Sequence, residues 1–157
     1  MGIWIFCDTS EYSCSYGRWN NFRMATIDAT FNYIKSHAIS TECEREQFYV
    51  NKLREIINEI ESEPDLNIDI FLNYCNQPHF IDGLIFLNIY GVYAFCNKTD
   101  CDGYYSVGNS YDICQLFNLI NDFYIDKEFF QNINKTINKI KKVFQESVRK
   151  RKIITIS

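Results

Sequence analysis

Phe80-Ile81-Asp82-Gly83-Leu84-Ile85-Phe86-Leu87-Asn88-Ile89-Tyr90-Gly91-Val92-Tyr93-Ala94-Phe95 is the longest apolar stretch of the chain. Nothing along it supplies a charged face, so it reads as a central helix against which the other elements pack. Asp82, Gly83, Asn88 and Gly91 interrupt it, and it is too short to span a bilayer comfortably. No membrane association is expected.

Outward from this stretch, apolar residues keep recurring at the helical period of about 3.6 residues. Asn20 or Asn21 can cap a helix over residues 20–37, with Phe22, Ala25, Ala29 and Tyr33 on one row and Ile27, Phe31 and Ile34 on the next. Residues 41–61 follow Ser40 or Thr41 with an acidic first turn, and repeat Phe48, Leu53, Ile56, Ile57 and Ile60 until Pro64 ends the run. A short helix over residues 67–74 stops near Pro78. Beyond a polar loop at residues 97–109 come a helix over 110–123, carrying Ile113, Leu116, Phe117 and Ile120, and a long one over 126–150. The last has Phe129, Phe130, Ile133, Ile137, Ile140 and Phe144 on its apolar face.

The ends of the chain differ. Gly2-Ile3-Trp4-Ile5-Phe6-Cys7 and Lys152-Ile153-Ile154-Thr155-Ile156-Ser157 are its two β-prone runs. An isolated strand cannot satisfy its backbone donors and acceptors in a core, so the termini are expected to pair. The expected class is α+β, mainly α: about six helices around the central apolar helix, with a small sheet formed by the N- and C-terminal strands. The 157 residues are a single-domain length, so residues 1–157 are read as one globular domain. Two prolines and six glycines leave few places for the tight turns of a sandwich or barrel.

A formal charge of -4 provides no global field for nucleic acid or an anionic membrane, and neither is an expected partner. Arg149-Lys150-Arg151-Lys152 reads as a solvated helix end. The N-terminus carries no basic n-region, long apolar stretch or cleavage site, which points to the cytoplasm, of a host cell if the protein is viral. Seven cysteines, an odd number without a compact framework, read as reduced thiols that mostly fill the core.

Two segments are richer in polar and aromatic groups than a connection needs: Ser13-Cys14-Ser15-Tyr16-Gly17-Arg18-Trp19 with Arg23 beyond it, and Thr99-Asp100-Cys101-Asp102-Gly103-Tyr104-Tyr105-Ser106. Ser15-Tyr16-Gly17, Trp19 and Phe22-Arg23, followed much later by Asp100-Cys101-Asp102-Gly103, resemble the motif pair of a family of small proteins of bacteria, phages and large DNA viruses. That family has no established activity, so the resemblance implies no function. Its members often carry His just before the second motif, where this chain has Asn97 and Lys98.

The candidate ligand-binding residues are Tyr16, Arg18, Trp19, Arg23, Asp100, Asp102 and Tyr104. Guanidinium groups hold carboxylates or phosphates in pairs of hydrogen bonds, so Arg18 and Arg23 could hold an anionic ligand or simply pair with Asp100 or Asp102. Tyr12, Tyr16, Trp19, Tyr104 and Tyr105 could line a pocket for a planar ligand or rim an ordinary core. Asp100-Cys101-Asp102-Gly103 matches part of a calcium loop, but Lys98 and Asn109 stand where its first and last carboxylates belong. Neither a metal nor a cofactor is expected, and catalytic residues are unassigned. The expected function is a non-catalytic binding or interaction protein, viral in one reading, whose site is formed by residues 13–23 and 97–109. It would take a small anionic ligand or a protein partner. The alternatives are a small hydrolase using Asp100 or Asp102 with Arg23 as anion clamp, and a virion structural component.

Overall fold

A computed structural model describes residues 2–98, 103–125 and 132–157. The two ends of the chain pair. Strand β1 (Gly2–Cys7) runs antiparallel to β4 (Ile154–Ile156) with Ile5 opposite Ile156 and Phe6 opposite Thr155. Next to the first of those pairs, Trp4 and Ser157 exchange both backbone hydrogen bonds at 2.9 Å. Alternation sends Ile3, Ile5 and Cys7 inward, while Trp4 and Phe6 touch on the opposite face, ring centroids 4.8 Å apart.

The sheet has two further strands, in the order β2-β1-β4-β3 and antiparallel throughout. Strand β2 (Ser10–Ser15) occupies what the sequence suggests is a loop. Its residues alternate too weakly in polarity to announce a strand, since only Tyr12 and Cys14 lean on the core. It exists because a two-residue turn reverses the chain, with Asp8 in the left-handed region at φ 53°, a conformation that Asp tolerates. Strand β3 (Gly103–Tyr105) closes the far edge against β4.

Seven α-helices lie among the described residues: α1 (Tyr16–Ser36), α2 (Glu44–Glu61), α3 (Ile68–Tyr74), α4 (Phe80–Phe86), α5 (Gly91–Cys96), α6 (Val107–Ile120) and α7 (Ile133–Lys150). The protein is thus α+β and mainly α, its small sheet formed by strands from both ends of the chain with the internal β3 at one edge. Helix α1 starts earlier than Asn20 because Ser15 Oγ accepts from Arg18 N and caps it. Helix α6 likewise starts before residue 110, on a reciprocal cap between Ser106 and Asn109. Of the long helix expected over residues 126–150, α7 is the described part; Phe129 and Phe130 lie outside the described residues.

The apolar stretch that suggests one central helix is two helices. Asn88 adopts φ 58°, its amide donates to Ile85 O, and Ile89 N donates to Leu84 O at 2.9 Å, the pairing that terminates a helix on a left-handed residue. Ile89, fully buried, anchors the reversal. Close approach fixes the next helix: a Cβ on Gly91 would stand 2.3 Å from Asp112 O, so α5 rests directly on the backbone of α6. The buried side chains form one contiguous core.

A charge joins the sheet to the helices. Glu146, in α7 and nearly inaccessible, accepts from Thr9 Oγ1 at 2.6 Å, Thr9 N at 3.1 Å and Ser10 N at 2.6 Å, so its carboxylate closes the β1–β2 turn. Lys150 Nζ lies 3.0 Å away and also meets Asp8. The hydrogen bond from Thr9, reinforced by Lys150 and Ser10, holds the Glu146 carboxyl down at about 2.

Gly91→Ala drives a methyl into Asp112 O and should lower unfolding free energy by about 1–3 kcal/mol. Gly17→Ala, where a new Cβ meets nothing within 4 Å, should be neutral or stabilise by up to about 1 kcal/mol; urea denaturation of the pair measures both. Because the folded-state value for Glu146 lies below its ordinary 4.5, its contribution is complete above that value and is lost as pH falls toward 2. Between pH 5 and about 2 the melting temperature of Glu146→Gln should therefore fall less steeply than that of the parent, and equal slopes would refute the assignment.

Candidate functional site

Ser15 ends β2 and caps α1, so residues 13–23 pass from a strand into a helix without a loop between. A step of about 100° per residue then divides their side chains among three directions. Tyr16, Asn20 and Arg23, at i, i+4 and i+7, line a surface cavity of about 340 Å³ with Met24, Asn67, Ile68 and Asp69. Arg18 turns the other way and lines a second cavity, of about 290 Å³, with Tyr12, Ser13, Asn132, Lys135, Thr136 and Lys139. Between them Trp19 enters the core, 2% exposed, its ring 5.3 Å from that of Phe95.

Trp19 is therefore a core residue and not a wall for a ligand. Tyr105 is equally buried and donates its hydroxyl to Phe95 O at 3.0 Å. Tyr104, the next residue along β3, is exposed, with Lys98 Nζ 5.6 Å from its ring centroid, and lines neither cavity. Asp100 and Asp102 lie outside the described residues, as do Thr99 and Cys101 of the calcium-like loop.

Arg23 joins the first segment to the start of the second through backbone carbonyls. Its guanidinium is buried, with Nη1 donating to Cys96 O at 3.2 Å and Lys98 O at 2.7 Å, and Nη2 donating to Asn20 Oδ1. A cation thus satisfies carbonyls at the C-terminal end of α5, where the helix dipole is negative. Nε has no hydrogen-bond partner among the described residues. Three of its five N–H donors are thus engaged in holding the end of α5 and Asn20.

The second cavity gathers three cations from distant parts of the chain. Arg18 stands in the first turn of α1, and Lys135 and Lys139 in the first two turns of α7. Hydroxyl groups accompany them: Ser13 on β2, the buried Thr136, and Tyr12, whose phenol is pushed up to about 12, chiefly by burial. A phenol so shifted stays protonated and can donate. Asn132, Lys135, Thr136 and Lys139 form a helical stripe that in sequence looks like an ordinary solvated face. The available signal is electrostatic: two lysines at i, i+4 repel, and both sit at the positive end of a helix with no acidic residue in its first turn.

Five of the described thiols are shielded from reaction by burial. Burial pushes Cys114 to about 11 and Cys96 to about 12, and raises Cys7, Cys14 and Cys75 as well, which keeps these groups protonated. His37 Nε2 pairs with Glu46 Oε1 at 2.9 Å, and His79 packs against Phe48 with ring centroids 5.2 Å apart. Among the described residues no three His, Cys, Asp or Glu side chains are grouped to hold a metal ion, and no helix is long and apolar enough to cross a membrane. The chain matches no family model, no curated protein and no solved structure.

Substituting Arg23 tests the capping role. Arg23→Leu leaves the carbonyls of Cys96 and Lys98 buried without their donor, and should cost about 1–3 kcal/mol or more in urea denaturation. Arg18→Leu, at an exposed position, should cost less than about 0.5 kcal/mol. Equal losses would show that Arg23 has no special role at the end of α5.

Proposed function

We propose that this protein is a non-catalytic binding protein that holds a small multivalent anion in the cavity lined by Arg18, Lys135 and Lys139. The observation that carries this reading is the convergence of three cationic side chains and three hydroxyl groups on one cavity of about 290 Å³, in a chain whose net charge is -4. Lys135 and Lys139 repel each other at i, i+4, and Lys135 stands in the first turn of α7, a cost that a bound anion would offset. Arg supplies a planar fork and the lysines supply mobile point charges, a combination suited to the tetrahedral oxygens of phosphate-like groups. The hydroxyl groups add neutral donors around the charge. Of the two arginines that the sequence offers for an anion, this reading keeps Arg18 and adds residues of α7.

Calorimetric titration with inorganic pyrophosphate tests the reading. Binding should saturate at one equivalent and weaken as salt is added. Each of Arg18→Gln, Lys135→Gln and Lys139→Gln should weaken it about tenfold. Without pyrophosphate the lysine variants should melt no lower than the parent, because they relieve repulsion. Phosphorus NMR of the same mixture should show pyrophosphate intact after prolonged incubation. Unaltered affinity in a Lys135→Gln/Lys139→Gln double variant would place any anion elsewhere, and hydrolysis lost in that variant would make the protein an enzyme.

A further inference from the structure

A larger cavity, of about 510 Å³, opens where the chain reverses between α4 and α5 and meets α6. Asp112 of α6 lines it. The contact between Gly91 and Asp112 O fixes the backbone at that point, so this wall is rigid. The Asp112 carboxylate is partly buried yet forms no hydrogen bond or ion pair among the described residues, and burial alone raises its carboxyl above the usual range. Other shielded carboxylates have partners: Glu46 meets His37, Glu63 meets Tyr74, and Glu146 closes the β1–β2 turn. Asp112 is thus a partly shielded carboxylate facing open space, with no cation beside it among the described residues.

The rest of the lining suits one kind of cation. Tyr90 and Tyr111 bring aromatic rings, whose faces attract positive charge, and Asp112 is near enough to Tyr90 to help raise its phenol. Asn88 and Gln115 contribute polar amides, Ile85 an apolar side chain, and among the described residues neither Lys nor Arg lines it. One carboxylate in a space of this size cannot coordinate a bare metal ion, which needs several oxygen ligands at close range. We propose that this cavity binds a small organic ammonium ion, its charge at Asp112 and its apolar groups against Tyr90, Tyr111 and Ile85. The site is separate from the anion cavity and does not depend on that reading.

Choline is the probe, and dimethylbutanol, its uncharged carbon isostere, is the control. Titrated into the full-length protein, choline should shift the amide NMR signals of Asn88, Tyr111, Asp112 and Gln115 saturably, and dimethylbutanol should bind at least about tenfold more weakly. Asp112→Asn should lose at least about tenfold in choline affinity while melting no lower than the parent, because it removes an unpaired charge. Tyr111→Leu should weaken choline several-fold. Equal binding of choline and dimethylbutanol would reduce the cavity to an apolar cleft. Choline binding that survives Asp112→Asn, or no saturable shift at these residues in the folded protein, would overturn the proposal.

Discussion

The packing of Phe95 is the constraint on which the remaining elements depend. Its ring lies 5.3 Å from Trp19, 5.6 Å from Phe22, 5.7 Å from Phe117, 6.0 Å from Phe144 and 6.4 Å from Tyr105. Those partners belong to α1, α6, α7 and β3, so one side chain fixes four elements relative to one another. Its own helix, α5, has six residues, too few to persist alone in water. Tertiary contacts therefore hold α5: the backbone of Asp112 against Gly91 at its start, Phe95 along its length, and the Arg23 guanidinium at its end.

Two buried charges complete joints that apolar contact leaves open. Arg23 satisfies carbonyls where α5 ends, and Glu146 satisfies amides where β1 turns into β2. Each links segments remote in sequence, and each is costly to bury unless its hydrogen bonds are made. The two cavities proposed as ligand sites obey the opposite logic. Like charges crowd in one, and in the other a carboxylate stands without a hydrogen bond or ion pair among the described residues, so a ligand of opposite charge would complement each.

Much of the helical architecture was legible in the residues, because amphipathic periodicity is a local property that survives into the folded state. The pairing of the termini could also be read, since Ile3, Ile5, Ile154 and Ile156 need partners and few other runs resemble them. Strand β2 could not, because Ser10-Glu11-Tyr12-Ser13-Cys14-Ser15 has the composition of a loop and becomes a strand through its neighbour. Asn88 was visible in the apolar stretch, but only its left-handed conformation turns one helix into two. Arg18 and Arg23 stood out by their setting, yet which cavity each faces depends on a helical phase set by the Ser15 cap. Lys135, Lys139 and Asp112 looked like ordinary helix-surface charges, and only the tertiary fold shows what they face.

The position of β4 within the sheet has a consequence for synthesis on the ribosome. β1 and β2 are contiguous and can form a hairpin as soon as both have emerged, but the other edge of β1 stays unpaired until residues 154–156 have been made. Glu146, which closes the hairpin turn, also comes late in the chain. Throughout elongation the nascent chain thus carries an open strand edge beside exposed Trp4, a surface prone to pair with other chains. The sheet is completed only after α7 has been synthesised, so a chain stalled before residue 154 is a candidate for chaperone capture, whereas one that includes β4 pairs that edge within itself.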